Sequence, residues 1–232
     1  MRVCILIERY LPHRGGSECQ AHNLAVALRA DGAEVLVITR RHHRALAARD
    51  RVEGIPVVRV GPPGKDSRLR WIMALTCLPA LLARRRQYDI LLVTSFRALG
   101  VPALAASRLL HKRCFLKAET PGEMSGAFFA PGLRKLRLTR LAPLIKRLVG
   151  LRNRILIKAD GFVGLSRELA DEFRTCGARD GQIRRIGNIV DTETFRPPEA
   201  GEPALLRRRF GLPSDALLAV YTGRLVTYKG LF

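Results

Sequence analysis

Hydrophobic positions along the chain fall into short continuous runs separated by segments of helical period, and that alternation predicts most of the fold. Arg2–Glu8 is an apolar run bounded by polar residues, the pattern of a strand buried on both faces. After the loop Arg9–Gly16, Ser17-x-x-Gln20 has capping-box spacing. Ala21, Leu24, Ala25 and Leu28 then mark one face of a helix through about Ala30, closed by Asp31-Gly32. Further strands are predicted at Glu34–Thr39, Pro56–Val60, Asp89–Thr94, Cys114–Ala118, Asp160–Leu165 and Gln182–Ile186. Helices are predicted at Arg68–Arg86, with Pro79 starting a new turn or a kink, at Leu99–Leu110, and at Arg167–Cys176 before Gly177. Strands alternating with helices of this length give right-handed βαβ units. The fold class is α/β, a Rossmann-like parallel sheet with helices on both faces.

The pattern changes at Asn188–Pro203, where Pro197-Pro198, Gly201 and Pro203 signal a linker over 188–203. Beyond it Ala204–Phe210 reads as a short helix and Ala216–Tyr221 as a new strand. The boundary is expected near residue 200, with 1–200 as one domain and 204–232 as the start of a truncated second one. A length of 232 residues has room for that, and 47% hydrophobic residues exclude a disordered chain.

The formal net charge is +21, and 34 of the 41 cations are arginine. Either the composition is biased towards arginine, or the partner is anionic: a membrane surface, a phosphorylated substrate or nucleic acid. Cys4, Cys19, Cys77, Cys114 and Cys176 lie far apart without a C-x-x-C pair, and read as reduced thiols instead of a zinc site or a disulfide framework. The N-terminus carries no signal-peptide pattern, and the longest apolar stretch, Trp71–Ala83, is too short to span a bilayer. A cytoplasmic location is expected.

Four segments carry candidate chemistry. His13-Arg14-Gly15-Gly16-Ser17 joins the first strand to the first helix, where backbone N–H groups favour an anion; it is not G-x-G-x-x-G, and a plain flexible turn is the alternative. The loop Lys117-Ala-Glu-Thr-Pro-Gly-Glu-Met-Ser-Gly126 follows a strand, placing Glu119 and Glu123 where catalytic groups collect. Glu119 either binds sugar hydroxyls or acts as a base, or it pairs with Lys117 and does no chemistry. Gly132–Lys158 holds nine Lys/Arg and no acid, with Leu144, Leu148, Leu151 and Ile155 in a helical stripe flanked by Arg140, Arg147 and Arg154. Such a helix, opened by Pro143, either lies on an anionic membrane or packs its stripe on the sheet. Nucleic acid is disfavoured, because no aromatic residues are interleaved for stacking. Finally Leu217–Tyr221 runs into Gly223, Arg224 and Lys229, a candidate diphosphate clamp.

Four stretches together resemble the N-terminal half of a GT-B glycosyltransferase of the retaining family-4 type. They are Gly15-Gly16-Ser17-Glu18 with Leu24-Ala25-x-x-Leu28 and Asp31-Gly32-Ala-Glu-Val35; Ala159-Asp-Gly-Phe-Val-Gly-Leu-Ser166; Ile186-Gly-Asn-Ile-Val-Asp191 with Phe195-Arg-Pro197; and Gly223-Arg-Leu-Val-x-x-Lys-Gly230. The resemblance implies two Rossmann-like domains, the first for the acceptor and the second for a UDP- or GDP-sugar donor. It further implies that Arg224 and Lys229 hold the donor diphosphate and that Gly15-Gly16 approach it from the opposite wall. No cofactor or metal is expected, and the acceptor is expected to be a glycan or lipid-linked. The histidine that family members often carry after the fifth strand is replaced by Lys117-Ala-Glu-Thr, so Glu119 or Glu123 would take its place. The family's glutamate-rich donor motif belongs beyond Phe232, which makes the chain inactive by itself on this reading. A sugar-nucleotide epimerase of GT-B shape and a non-catalytic basic binding module are the alternatives.

Overall fold

A computed structural model describes residues 1–64, 66, 69–129, 140, 142–223 and 225. The chain divides into two compact units, Met1–Ile189 and Val190–Phe232.

In chain order the first unit runs β1 (Arg2–Ile7), α1 (Gly16–Ala30), β2 (Glu34–Arg40), β3 (Arg49–Val52), β4 (Ile55–Val60), α2 (Leu69–Ala83) and β5 (Ile90–Thr94). It continues with α3 (Gly100–Leu109), β6 (Arg113–Lys117), α4 (Ala142–Leu156), β7 (Gly161–Gly164), α5 (Arg167–Thr175) and β8 (Ile183–Arg185). The sheet order is β3-β4-β2-β1-β5-β6-β7-β8, parallel throughout except where β3 pairs antiparallel with β4. Strand order reverses between β1 and β5, so the ligand crevice of such a fold opens above their C-terminal ends.

Burial explains the continuous apolar runs. Val3, Ile5, Val35 and Val37 pack with Ala21 and Ala25 of α1 on one face. Cys4, Leu6, Leu91 and Val93 pack on the other with Met73, Cys77 and Leu81 of α2, Leu104 of α3, Leu156 of α4 and Phe173 of α5. Cys4, Cys77 and Cys114 are buried here, and burial pushes the Cys77 and Cys114 thiols up to about 12.

Three local expectations are corrected. The cap of α1 is Gly15 in extended conformation and no side chain caps it, so Ser17-x-x-Gln20 is not a capping box. Arg49–Val52 is a further, polar edge strand; it turns back through Glu53 (φ 48°) and Gly54 (φ 75°), the left-handed pair that a two-residue hairpin needs. Ala216–Tyr221 forms no strand: a strand needs a ladder partner, and among its described residues the second unit holds one helix, α6 (Glu202–Arg209), and none.

Candidate functional site

The described residues place their unsatisfied chemistry at one edge of the sheet. Buried side-chain atoms without a hydrogen-bond partner occur in Glu8, Arg40, His42, Arg59, Arg70, Thr94, Arg97, Glu119 and Glu123. Each belongs to the C-terminal end of β1, β2, β4, β5 or β6, or to the segment that follows it. Arg70 Nε still lies 2.6 Å from Glu8 and Glu119 Oε1 3.4 Å from Lys117; the concentration of the other unpaired groups at one edge makes that edge the candidate site.

The floor of this edge is the start of α1. Gly15 caps the helix without a side chain, and a Cβ on it would lie 2.3 Å from the Glu18 carboxylate, which folds over the glycine. Gly16 has open space where a side chain would stand. The first-turn N–H groups of an uncapped helix carry its positive end, which suits a phosphate. The preceding loop is held by Tyr10, fully buried, whose hydroxyl shares a 2.8 Å hydrogen bond with His22 Nδ1, while His22 Nε2 lies 3.0 Å from Glu53.

Opposite stands the loop after β6. Glu119 is nearly buried and lies 3.4 Å from the Lys117 ammonium, so the pairing alternative is realised in the geometry. Burial raises its carboxyl above the usual range, Lys117 opposes that, and both Ser17 and Glu18 of α1 act on it. Glu119 and the Gly15-Gly16 turn are thus brought together. Glu123 is 0% exposed; its Oε1 accepts from the Glu119 N–H at 3.0 Å and the Thr120 N–H at 3.4 Å. Burial pushes its carboxyl up to about 7. Buried as it is, Glu123 shapes the loop through these two backbone bonds.

Sequence reasoning missed what fixes this loop. The Glu172 carboxylate of α5 accepts from the N–H groups of Gly122 (2.8 Å), Met124 (2.8 Å) and Ser125 (2.7 Å). From α4, Arg152 donates to the Glu123 and Met124 carbonyls at 2.8 and 2.7 Å, and Asn153 to Met124 at 2.9 Å. Gly122 and Gly126 supply left-handed backbone, φ 90° and 78°. Arg97, hydrogen-bonded to Thr120, lies 4.7 Å over the Phe128 ring. Ser95, directly after β5 at the strand-order reversal, has φ 52°, a strained conformation for a residue with a side chain.

Over β1, β2 and β4 the edge is cationic. The Glu8 carboxylate lies 2.6 Å from Arg70 and 3.9 Å from both Arg9 and Arg40. The His13 and His42 rings meet edge-on at 5.6 Å. Burial holds the His42 ring below its ordinary range, helped by His13, Arg40, Arg59 and Arg9. The sequence pointed to His13 within its glycine turn but not to His42 or the arginines beside it.

The segment after β8 is tied to the same edge: Gln20 of α1 donates to the Ile189 carbonyl at 2.9 Å and accepts from its N–H at 2.7 Å. A cavity of about 290 Å³ lies between α1 and the sheet, with Leu24, Leu28, Leu92 and Phe115 among its lining. Arg140, Arg147 and Arg154 are exposed on or beside α4. Arg224 and Lys229 lie outside the described residues. Among the described residues no cluster of His, Cys, Asp and Glu could hold a metal ion, and no helix is long and apolar enough to cross a membrane.

The model of Glycosyltransferase Family 4 matches residues 14–194. The chain belongs to that family. Among curated proteins, family-4 sequence of this chain is 34% identical over 88 residues to D-inositol 3-phosphate glycosyltransferase of Xylanimonas cellulosilytica, covering 36% of the chain and 21% of the relative. A protein of the same name from Acidothermus cellulolyticus is 40% identical over 65 residues, 28% of the chain and 13% of the relative. Among solved structures, sucrose-phosphate synthase from Thermosynechococcus elongatus superposes with a TM-score of 0.62 at 17% identity, over 93% of the chain and 54% of that protein. Anabaena HepE in complex with UDP and glucose gives 0.56 at 16%, over 91% and 50%. The chain spans about half the length of these structures, and its fold is that of the N-terminal domain of a GT-B glycosyltransferase.

Proposed function

We propose that the protein containing this chain transfers a sugar from a UDP- or GDP-sugar, with retained anomeric configuration, to a lipid-linked or polysaccharide acceptor. The observation that carries the reading is the uncapped Gly15-Gly16 start of α1 facing Glu119 at the strand-order reversal. A donor diphosphate placed at that helix start meets the positive end of α1, and Arg224 and Lys229 are assigned to the same diphosphate from the sequence resemblance. Charge develops on the diphosphate as the sugar leaves, so these groups lower the barrier most in the transition state. Glu119 faces the transferred sugar, its carboxylate held by Lys117, and Glu123 positions the loop beneath it. The cations around His13 and His42 suit an anionic acceptor, such as the phosphate of a lipid-linked glycan. The relatives named as D-inositol 3-phosphate glycosyltransferases support a phosphate-bearing acceptor. HepE, solved with UDP-glucose, supports the donor class.

The work is done at the inner face of the plasma membrane, with Arg140, Arg147 and Arg154 towards anionic lipid. No metal enters the reaction on this reading, and the chain without its donor domain is inactive. The test incubates the full-length protein with labelled UDP- and GDP-sugars and membrane-extracted acceptors. Glycosylated acceptor with the donor's anomeric configuration is the expected product; isomerised donor instead identifies an epimerase, and neither product across the panel overturns the reading. Arg224→Ala and Lys229→Ala each lower kcat by about a hundredfold or more, as loss of one charge-stabilising group does, with circular dichroism unchanged.

A further inference from the structure

The charge of this chain is not spread evenly. Residues 67–158 contain nineteen Lys or Arg and three acidic residues, Asp89, Glu119 and Glu123, so this stretch carries +16 of the net +21. It is the stretch that builds α2, α3 and α4, which form one layer on a single face of the sheet, α3 packing between the other two. Neither α2 nor α4 contains an acid.

The outer side of that layer is apolar where it should be polar. On α4, Val149, Asn153 and Leu156 turn inward, and the stripe of Leu144, Leu148, Leu151 and Ile155 faces solvent, each leucine more than half exposed. On α2, Met73, Cys77 and Leu81 turn inward, and Trp71 (54% exposed), Ile72 and Leu75 (76% exposed) face out. Arg85 and Arg86 follow α2, Arg108 ends α3, and Arg147, Arg154 and Lys158 border α4, all exposed. Large side chains exposed on adjacent helices mark an interaction surface.

We propose that the outer face of the α2–α3–α4 layer docks on an anionic lipid bilayer, with Trp71, Ile72 and Leu75 of α2 forming a second insertion line parallel to the stripe of α4. The proposal deepens the membrane-side reading above and rests on it. Leucine stripes bordered by arginines, with a tryptophan on the apolar side, are the composition of interfacial helices. The exposed Arg85, Arg86, Arg108, Arg147, Arg154 and Lys158 attract acidic headgroups and oppose a second copy of the same face. The orientation has a consequence for catalysis. In each βαβ unit the helix begins at the C-terminal edge of the sheet, so Trp71, Ile72 and Leu144 sit at the end of the layer nearest Glu119 and the Gly15-Gly16 turn. A lipid-linked acceptor then reaches the site mouth while its chains stay in the bilayer.

Trp71 is the single tryptophan, so its fluorescence reports this face alone. The full chain is mixed with vesicles of phosphatidylcholine, with vesicles of phosphatidylcholine and phosphatidylglycerol, and with the latter carrying brominated acyl chains. Binding only to the phosphatidylglycerol vesicles, a blue-shifted emission and quenching by bromine are expected. Arg85→Gln with Arg86→Gln weakens partitioning about thirtyfold, roughly fivefold for each charge. Leu75→Ser weakens it with the melting temperature unchanged. Vesicle binding without bromine quenching of Trp71 overturns the role of α2, and equal binding to neutral vesicles overturns the electrostatic argument. A blue shift that follows protein concentration without lipid, with doubled mass in sedimentation, makes the face a self-interface and overturns the proposal. Sugar transfer by the full-length protein to extracted acceptors in detergent, without vesicles, separates the two readings: no transfer product across the donor panel refutes the glycosyltransferase reading and leaves lipid docking standing.

Discussion

Glu172 accepts three of the hydrogen bonds that hold the loop bearing Glu119, and replacing it separates loop order from global stability. Glu172→Ala removes the acceptor of three backbone N–H groups, those of Gly122, Met124 and Ser125, at 2.7 to 2.8 Å. The Ser125 bond is exposed, so water replaces it; the other two are partly buried. A hydrogen bond to a charged group is worth about 1.5–3 kcal/mol, so two give about 3 kcal/mol, which raises the open population of the loop about a hundredfold. Hydrogen exchange read by mass spectrometry on peptides spanning 119–126 measures that population directly. Protection there is expected to fall about a hundredfold, while peptides of β1 and β5 keep theirs. Glu172→Gln keeps one carbonyl acceptor and falls between. Unchanged protection at 119–126, or a loss spread evenly over the whole unit, would refute the assignment of Glu172 as the staple of this loop.

Two further perturbations follow from the same geometry. The Glu123 carboxyl sits at about 7 in the folded protein, above its unfolded value of 4.5. The native state therefore binds more protons than the unfolded state between those values, and stability falls as pH rises through that window by up to about 3 kcal/mol. Glu123→Gln removes this slope, so urea midpoints at pH 5 and pH 8 converge in the variant; an unaltered difference would show that Glu123 is ionised without penalty. Gly126→Ala places a methyl 2.8 Å from Val149 Cγ2 at φ 78°, a cost of about 1–3 kcal/mol. Differential scanning calorimetry should show a lower melting temperature for it than for Gly181→Ala, whose added methyl meets open space; equal values would remove the close approach of α4 to the loop.

How much of this was legible in the sequence depends on how local each cause is. Strands buried on both faces announce themselves, because Cys4–Ile7 and Leu91–Val93 must be apolar at every position. The edge strand Arg49–Val52 has solvent on its flanks and reads as a loop, although Glu53-Gly54 before an apolar run was its turn signal. The start of α1 was placed to within two residues, but its cap was assigned to Ser17 because a capping box is more common than a bare glycine. On α4 the period identified which residues share a face and not which face turns inward. Asn153 was the available clue, since a polar residue in phase with Val149 and Leu156 belongs to a buried stripe only when it has a partner. Glu119 and Glu123 were found by their position after a strand, whereas Glu172 and Arg152 act across gaps of 28 to 50 residues that no local pattern connects.

The two edges of the sheet differ in a way that bears on what the fold is for. At the N-terminal edge charges close on each other: Arg2 grips Asp89 through two bonds of 2.8 and 2.9 Å, Lys112 joins at 3.2 Å, and Asp160 accepts from the Cys114 N–H at 2.8 Å. At the C-terminal edge Thr94, Arg97 and His42 keep buried atoms without a hydrogen bond, and Ser95 holds strained backbone among them. Unpaired buried groups cost stability, so they persist only where the surroundings are over-determined or a ligand completes them. The first condition is met here. The Glu172, Arg152 and Asn153 bonds fix the loop after β6 independently of any substrate, and the Tyr10–His22 pair fixes the loop after β1. On the proposed reading, these two rigid walls aim the unpaired donors and acceptors before a substrate arrives, so binding need not first order them and can favour the transition state instead.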